Sequence, residues 1–143
     1  MKVRIKSHDW KTVNYETPWA CAFDFKCIEE VIFEPGEFKL VETWLVVETP
    51  KGYLLQTQPR SSTFKKHWLI QTNSVGIIDE DYCWDEDTIK FPYLNLSWVR
   101  QVLEAGTRIW QWVFVKIERA EFEVVETMNN SKNRWGFWTT WIK

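Results

Sequence analysis

At 143 residues, 45% of them apolar and 27% charged, the chain fits a single globular domain with a real core. Its net charge of −2, with basic and acidic residues interspersed, offers no polyanion-binding face, so neither nucleic-acid binding nor a polybasic membrane anchor is expected. The N-terminus MKVRIKSHD alternates charged and apolar residues, and no apolar run approaches the ~20 residues of a membrane span, so a cytoplasmic protein without membrane contact is expected.

In chain order, nine stretches rich in β-branched and aromatic residues predict strands: Val3 to Lys6, Val31 to Phe33, Phe38 to Glu48, Tyr53 to Thr57, Trp68 to Thr72, Ile77 to Tyr82, Thr88 to Leu96, Ile109 to Ile117 and Glu121 to Glu126. Pro35-Gly36 and Pro50-Lys51-Gly52 supply turns between them. Ser61 to Lys66 and Val99 to Glu104 are the only candidates for a helical turn or two. Many short strands at regular spacing predict an all-β domain, a sandwich, jelly roll or barrel. The pattern stops at Met128, so the expected division is a β domain over 1–128 and a flexible C-terminal arm over 129–143. Cys21, Cys27 and Cys83 are odd in number and lack CxxC spacing, which predicts reduced thiols, with Cys27 and, as a second candidate, Cys21 buried.

The composition holds one anomaly. Eleven tryptophans accompany only five glycines, whereas average usage of about 7% would give about 10 glycines. Read with Gly for Trp, the tail Arg134 to Trp141 becomes RGGFGTTG, a flexible anion-binding loop.

Five stretches carry a resemblance that runs over most of the chain: PWACAFDF (Pro18 to Phe25), PRSST (Pro59 to Thr63), NSVGIIDEDY (Asn73 to Tyr82), AGTRIWQWVF (Ala105 to Phe114) and RWGFWTTW (Arg134 to Trp141). In this order and spacing they resemble the five motifs of the trimeric dUTP pyrophosphatase (dUTPase) family. The resemblance implies a distorted β-barrel or jelly roll, a homotrimer whose active sites are each shared by three subunits, and Mg²⁺-dependent hydrolysis of dUTP to dUMP and pyrophosphate.

Hydrolysis between the α and β phosphates needs a positioned water, a carboxylate to take its proton, cationic and hydroxyl groups along the phosphates, and a divalent ion. Asp79 follows the apolar Gly76-Ile77-Ile78 and precedes Tyr82, which suits either the base or a strand-end acid; the resemblance makes it the base. By the same resemblance Tyr82 packs on the deoxyribose, and Asn73 opens the hairpin that reads uracil. Otherwise these are a cross-strand aromatic and a turn cap. Arg60 and Ser61 resemble the phosphate clamp, Ser62 adding its N–H or capping the following helical turn. Asp24 matches the acid that engages the water shell of Mg²⁺, and would otherwise be a solvated loop acid. Gln111 corresponds to the amide on the α phosphate, Arg134 to the cation on the γ phosphate, and Phe137 to the ring that stacks on uracil when the arm closes.

The chain departs from the family at Thr107, where Asp is frequent, at Cys83-Trp84, where Arg-Gly is, and in the acidic insert Asp85 to Asp87, which resembles phage-like and bacterial members. Trp19, Trp44, Trp68, Trp84, Trp110, Trp112, Trp135, Trp138 and Trp141 occupy positions where the family commonly has Gly or another small residue. That pattern is the one produced if a UGA codon meaning glycine is written as tryptophan; a deliberate Gly-to-Trp construction and a natural Trp-rich protein are the alternatives. Two other functions fit parts of the sequence: a catalytically inactive dUTPase-like protein that acts through contacts, and a Trp-rich carbohydrate-binding β module, which requires indoles alternating on one sheet face. The related dCTP deaminases carry a Glu-centred motif that IDEDY does not match.

Overall fold

The computed structural model describes residues 1–7 and 13–129. Twelve strands and one short helix form the regular structure of these residues: β1 Ile5–Ser7, β2 Val13–Asn14, β3 Phe23–Lys26, β4 Val31–Phe33, β5 Phe38–Glu42, β6 Leu45–Val47, β7 Tyr53–Pro59, α1 Thr63–His67, β8 Leu69–Gln71, β9 Gly76–Ile78, β10 Lys90–Asn95, β11 Gln101–Leu103 and β12 Arg108–Lys116. They pair in four sheets, ordered β2-β3-β12-β7-β9, β5-β10-β8, β1-β6 and β11-β4. The all-β expectation holds, although among the described residues these ladders do not close into a barrel.

β12 lies at the centre of the largest sheet. Trp110 to Lys116 pair antiparallel with Pro59 to Tyr53 of β7, while Trp110, Gln111 and Trp112 also oppose Phe25, Asp24 and Phe23 of β3. Successive side chains of a strand point to opposite faces. Phe23, Phe25, Trp110 and Trp112 therefore enter the core, and Asp24 and Gln111 share the other face. Phe91 stacks on Trp110 at 4.7 Å between ring centroids, and Phe25 lies 5.2 Å from the same ring. Both indoles are fully buried, yet neither Nε1–H has a partner among the described residues, and a buried unpaired donor costs about 1–3 kcal/mol.

Several elements differ from the sequence expectation. Val99 to Glu104 contains β11 instead of a helical turn, because Leu103 is buried opposite Val31 of β4 while Val102 stays exposed. Glu121 to Glu126 has the alternation of a strand, but no strand is assigned there and all six residues are exposed. The stretch from Ile77 leaves the ladder at Ile78, and Asp79 to Tyr82 form a turn closed by the Tyr82 N–H on the Asp79 carbonyl at 3.3 Å. Cys21 is exposed, whereas Cys27 is buried; burial pushes the Cys27 thiol up to about 12, too high for a neutral-pH nucleophile. Trp19, Trp84 and Trp98 are exposed in loops, so they form no sugar-stacking row on a sheet face.

The long strand expected over Phe38 to Glu48 breaks at Thr43-Trp44, where the Glu42 carboxylate accepts both N–H groups at 2.9 and 3.0 Å. Trp44 has φ 54° and Trp68, which ends α1, has φ 53°. Ser74 is the third non-glycine residue with positive φ among those described. A β-carbon in this left-handed region costs roughly 1–2 kcal/mol, and a helix end of the Trp68 kind usually carries Gly. Trp44→Gly and Trp68→Gly are each expected to raise stability by about 1 kcal/mol, read as a higher urea midpoint. A lower midpoint for both would mean that indole packing, such as Trp68 on Phe64 at 5.3 Å, outweighs the backbone strain.

Candidate active site

The first group of expected site residues assembles around a bulge in β12. The β12–β3 register shifts between Arg108 and Trp110, while on the other side the Ile109 carbonyl continues the β7–β12 pairing one step beyond Trp110–Pro59. That carbonyl accepts the Arg60 N–H at 2.9 Å and the Thr63 hydroxyl at 2.8 Å. The Arg60 carbonyl in turn accepts the Thr63 N–H at 3.0 Å. The segment Arg60 to Thr63 is thus moulded on β12, as bulges beside functional sites often allow. Ser62 precedes α1 without a side-chain cap, so the alternative reading of it as a capping hydroxyl fails.

Asp24 is the centre of this group. Its side chain is 9% exposed; Oδ1 meets Arg60 Nε at 3.0 Å and Oδ2 meets Arg108 Nη1 at 3.3 Å. Arg108 Nη1 also reaches Glu16 Oε2 at 2.5 Å. Arg60 engages Asp24 through Nε, which leaves its two terminal nitrogens unpaired among the described residues and available to oxyanions. Gln111, opposite Asp24 in the ladder, donates to the Pro59 carbonyl at 3.3 Å. Asp24, Arg60, Ser61, Ser62 and Gln111 are therefore brought together. Arg108 and Glu16 join them and were missed from sequence. Arg108 lies inside the quoted AGTRIWQWVF stretch, but only the ladder reveals that it faces Asp24.

The second group lies elsewhere. Asp79, just past β9, is exposed, and its side chain has no hydrogen-bond or ionic partner among the described residues. The exposed Tyr82 donates its hydroxyl to the Thr88 carbonyl at 3.2 Å. Asn73 sits before β9, where its amide oxygen accepts from Gln71 at 2.9 Å. Gly76 is required by close approach, since a Cβ there would collide with the Thr57 hydroxyl on the paired strand. The acidic insert stays exposed at Asp85 and Glu86, and Lys6 reaches the Asp85 carbonyl at 2.9 Å and its carboxylate at 3.2 Å. Ile78 opposes Leu55, so Asp79 stands level with Leu54, at the far end of β7 from Arg60. At about 3.3 Å per residue that separation is roughly 20 Å. Arg134 and Phe137 lie outside the described residues.

Among the described residues no three His, Cys, Asp or Glu side chains converge on a metal position. The near-buried Asp24 carboxylate has each oxygen on a guanidinium, so a hard cation would meet it only through its water shell and would take its other ligands from phosphates.

The dUTPase family profile matches residues 8–139. The chain belongs to the dUTPase family. A deoxyuridine 5'-triphosphate nucleotidohydrolase of Nautilia profundicola is 36% identical over 143 residues, covering 98% of this chain and 99% of that protein. The SPbeta prophage-derived nucleotidohydrolase of Bacillus subtilis is 36% identical over 121 residues, covering 84% and 83%. The dUTPase of Streptococcus mutans superimposes with a TM-score of 0.77 at 30% identity, covering 85% of this chain and all of that one. Staphylococcus bacteriophage 80alpha dUTPase with dUPNHPP, at 20% identity, shares the fold with a TM-score of 0.84 over 99% of both chains.

In this dUTPase-family chain, Asp24→Asn would leave two guanidinium groups facing a neutral amide. Because both arginines are about one-third exposed, solvent screening reduces the cost, and a loss of about 1–2 kcal/mol is expected in urea unfolding. An unchanged midpoint would show that the Arg60–Asp24–Arg108 bridge contributes nothing to stability.

Proposed function

We propose that the protein hydrolyses dUTP to dUMP and pyrophosphate, with Asp79 taking the proton of a water that attacks the α phosphate. The observation that carries this reading is the pair of half-sites: an unpartnered carboxylate at Asp79 and a cationic, hydroxyl-lined group at Asp24, Arg60 and Ser61. A base must come within about 3 Å of its water, and the clamp must hold the same phosphates. The roughly 20 Å between them along β7 supports a site completed by other copies of the chain, in a homotrimer. An apolar sheet face agrees with subunit contact: Phe38, Leu40 and Ile70 are exposed on β5 and β8, with Phe64, Trp68 and Leu96 beside them.

Asp24 would engage the water shell of Mg²⁺, which neutralises charge developing on the phosphate oxygens. While Asp24 holds Nε of Arg60, the terminal nitrogens of Arg60 meet phosphate oxygens, the Ser61 hydroxyl approaches the bridging oxygen, and the Ser62 N–H adds a donor. Gln111 contacts the α phosphate. Tyr82 and Asn73 orient the deoxyuridine. Residues 129–143 form an arm that follows the β domain, closes over the site and brings Arg134 to the γ phosphate and Phe137 to uracil. Asp79→Asn should lower turnover by ~10²–10⁴-fold while nucleotide binding persists; near-normal turnover would remove Asp79 from the role.

We also propose that all eleven tryptophans stand in place of glycine. The positive φ at Trp44 and Trp68 and the unpaired indoles of Trp110 and Trp112 support this reading. The eleven-glycine protein should then unfold cooperatively and hydrolyse dUTP with Mg²⁺, while the tryptophan form is poorly soluble or inactive. Equal dUTP turnover by the two forms would sink the substitution argument.

A further inference from the structure

We propose that Glu80 is the positioning residue for Asp79, an assignment that rests on Asp79 being the base. β9 ends at Ile78, so no ladder bond of β9 holds the base itself. The turn that follows is closed only loosely, by the Tyr82 N–H on the Asp79 carbonyl at 3.3 Å and the Cys83 thiol on the Glu80 carbonyl at 3.6 Å. The Glu80 side chain supplies the short bonds. Its Oε2 accepts the Gly52 N–H at 2.9 Å and its Oε1 accepts Arg119 Nη2 at 2.7 Å.

These contacts join three segments that are far apart in sequence. Gly52 closes the turn before β7, with φ 78° and the Tyr53 N–H on the Pro50 carbonyl at 3.0 Å. Its own carbonyl accepts the Ile117 N–H at 3.0 Å, just past β12. Arg119 lies two residues further along the same exit. One carboxylate, 22% exposed, therefore fastens the turn after β9 both to the start of β7 and to the end of β12. Arg119 is 74% exposed, so its charge is heavily screened, and the main-chain donor of Gly52 is the stiffer of the two ties.

Asp79 and Glu80 are adjacent in the same turn, so fixing the Glu80 side chain on Gly52 and Arg119 holds the backbone that carries the exposed Asp79 carboxylate, without a contact to Asp79 itself. A displacement of ~1 Å at reacting atoms costs up to ~10²-fold in rate. A positioning role predicts that Glu80 affects turnover through Asp79 alone.

The test measures kcat and KM for dUTP, with thermal melting as a fold control, in whichever form of the protein, tryptophan or eleven-glycine, hydrolyses dUTP. Glu80→Ala should lower kcat about tenfold with KM within about twofold. Glu80→Gln, which keeps an acceptor oxygen for the Gly52 N–H, should lose only about threefold. In an Asp79→Asn background, Glu80→Ala should cost nothing further. Wild-type kcat in Glu80→Ala, or a loss that persists in full without Asp79, overturns the proposal. If Asp79→Asn itself turns over normally, or neither form hydrolyses dUTP, the functional reading fails first and Glu80 loses its role with it.

Discussion

The two-sided pairing of β12, interrupted by its bulge at Ile109, is the constraint on which the rest of the structure depends. β7 and β3 both take their register from this strand. That register sends Trp110 and Trp112 inward and sets Gln111 against Asp24. On the β7 side the ladder runs one step past Trp110–Pro59, where the Ile109 carbonyl takes two donors from the Arg60 to Thr63 segment. That pairing, with the register of β12 against β3, fixes the arginine of PRSST beside Asp24.

From that constraint follows the division of the site. The end of β7 nearest the bulge gathers cations and hydroxyls, while its opposite end faces Asp79 and the knot of Gly52, Glu80 and Arg119. A sheet of this length separates the two ends by more than a reacting pair can tolerate. The same geometry that builds each half well makes one copy of the chain insufficient for the proposed reaction. Phe38, Leu40 and Ile70 are exposed together on one sheet face, the surface that the proposed assembly would cover.

The tryptophans meet three different physical situations. At Trp44 and Trp68 the backbone is left-handed, and the cost lies in the β-carbon. At Trp110 and Trp112 the rings pack on Phe25 and Phe91 in the core, and the cost lies in two N–H groups without a partner among the described residues. At Trp19, Trp84 and Trp98 the rings stand in solvent. Among the described residues the tryptophans thus divide into strain, desolvation and exposure. In the central sheet the two indoles are buried without breaking the strand pairing.

The sequence by itself determined the strand-rich class and most strand positions, and its short motifs marked Asp24, Arg60, Asp79 and Gln111 as candidates, because alternation and short motifs are local properties of the chain. It also marked the glycine deficit, which is a matter of composition. It misread Val99 to Glu104 and Glu121 to Glu126, because a stretch becomes a strand only when another strand is there to pair with it. Leu103 found β4, whereas Phe122 and Val124 found no partner. The contacts of Arg108, Glu16 and Glu80 were invisible in sequence for the same reason. Their partners are 84, 92 and 28 or 39 positions away, and only the register of β12 against β3 and the fastening of the β9 turn to Gly52 and Arg119 decided which charges would meet.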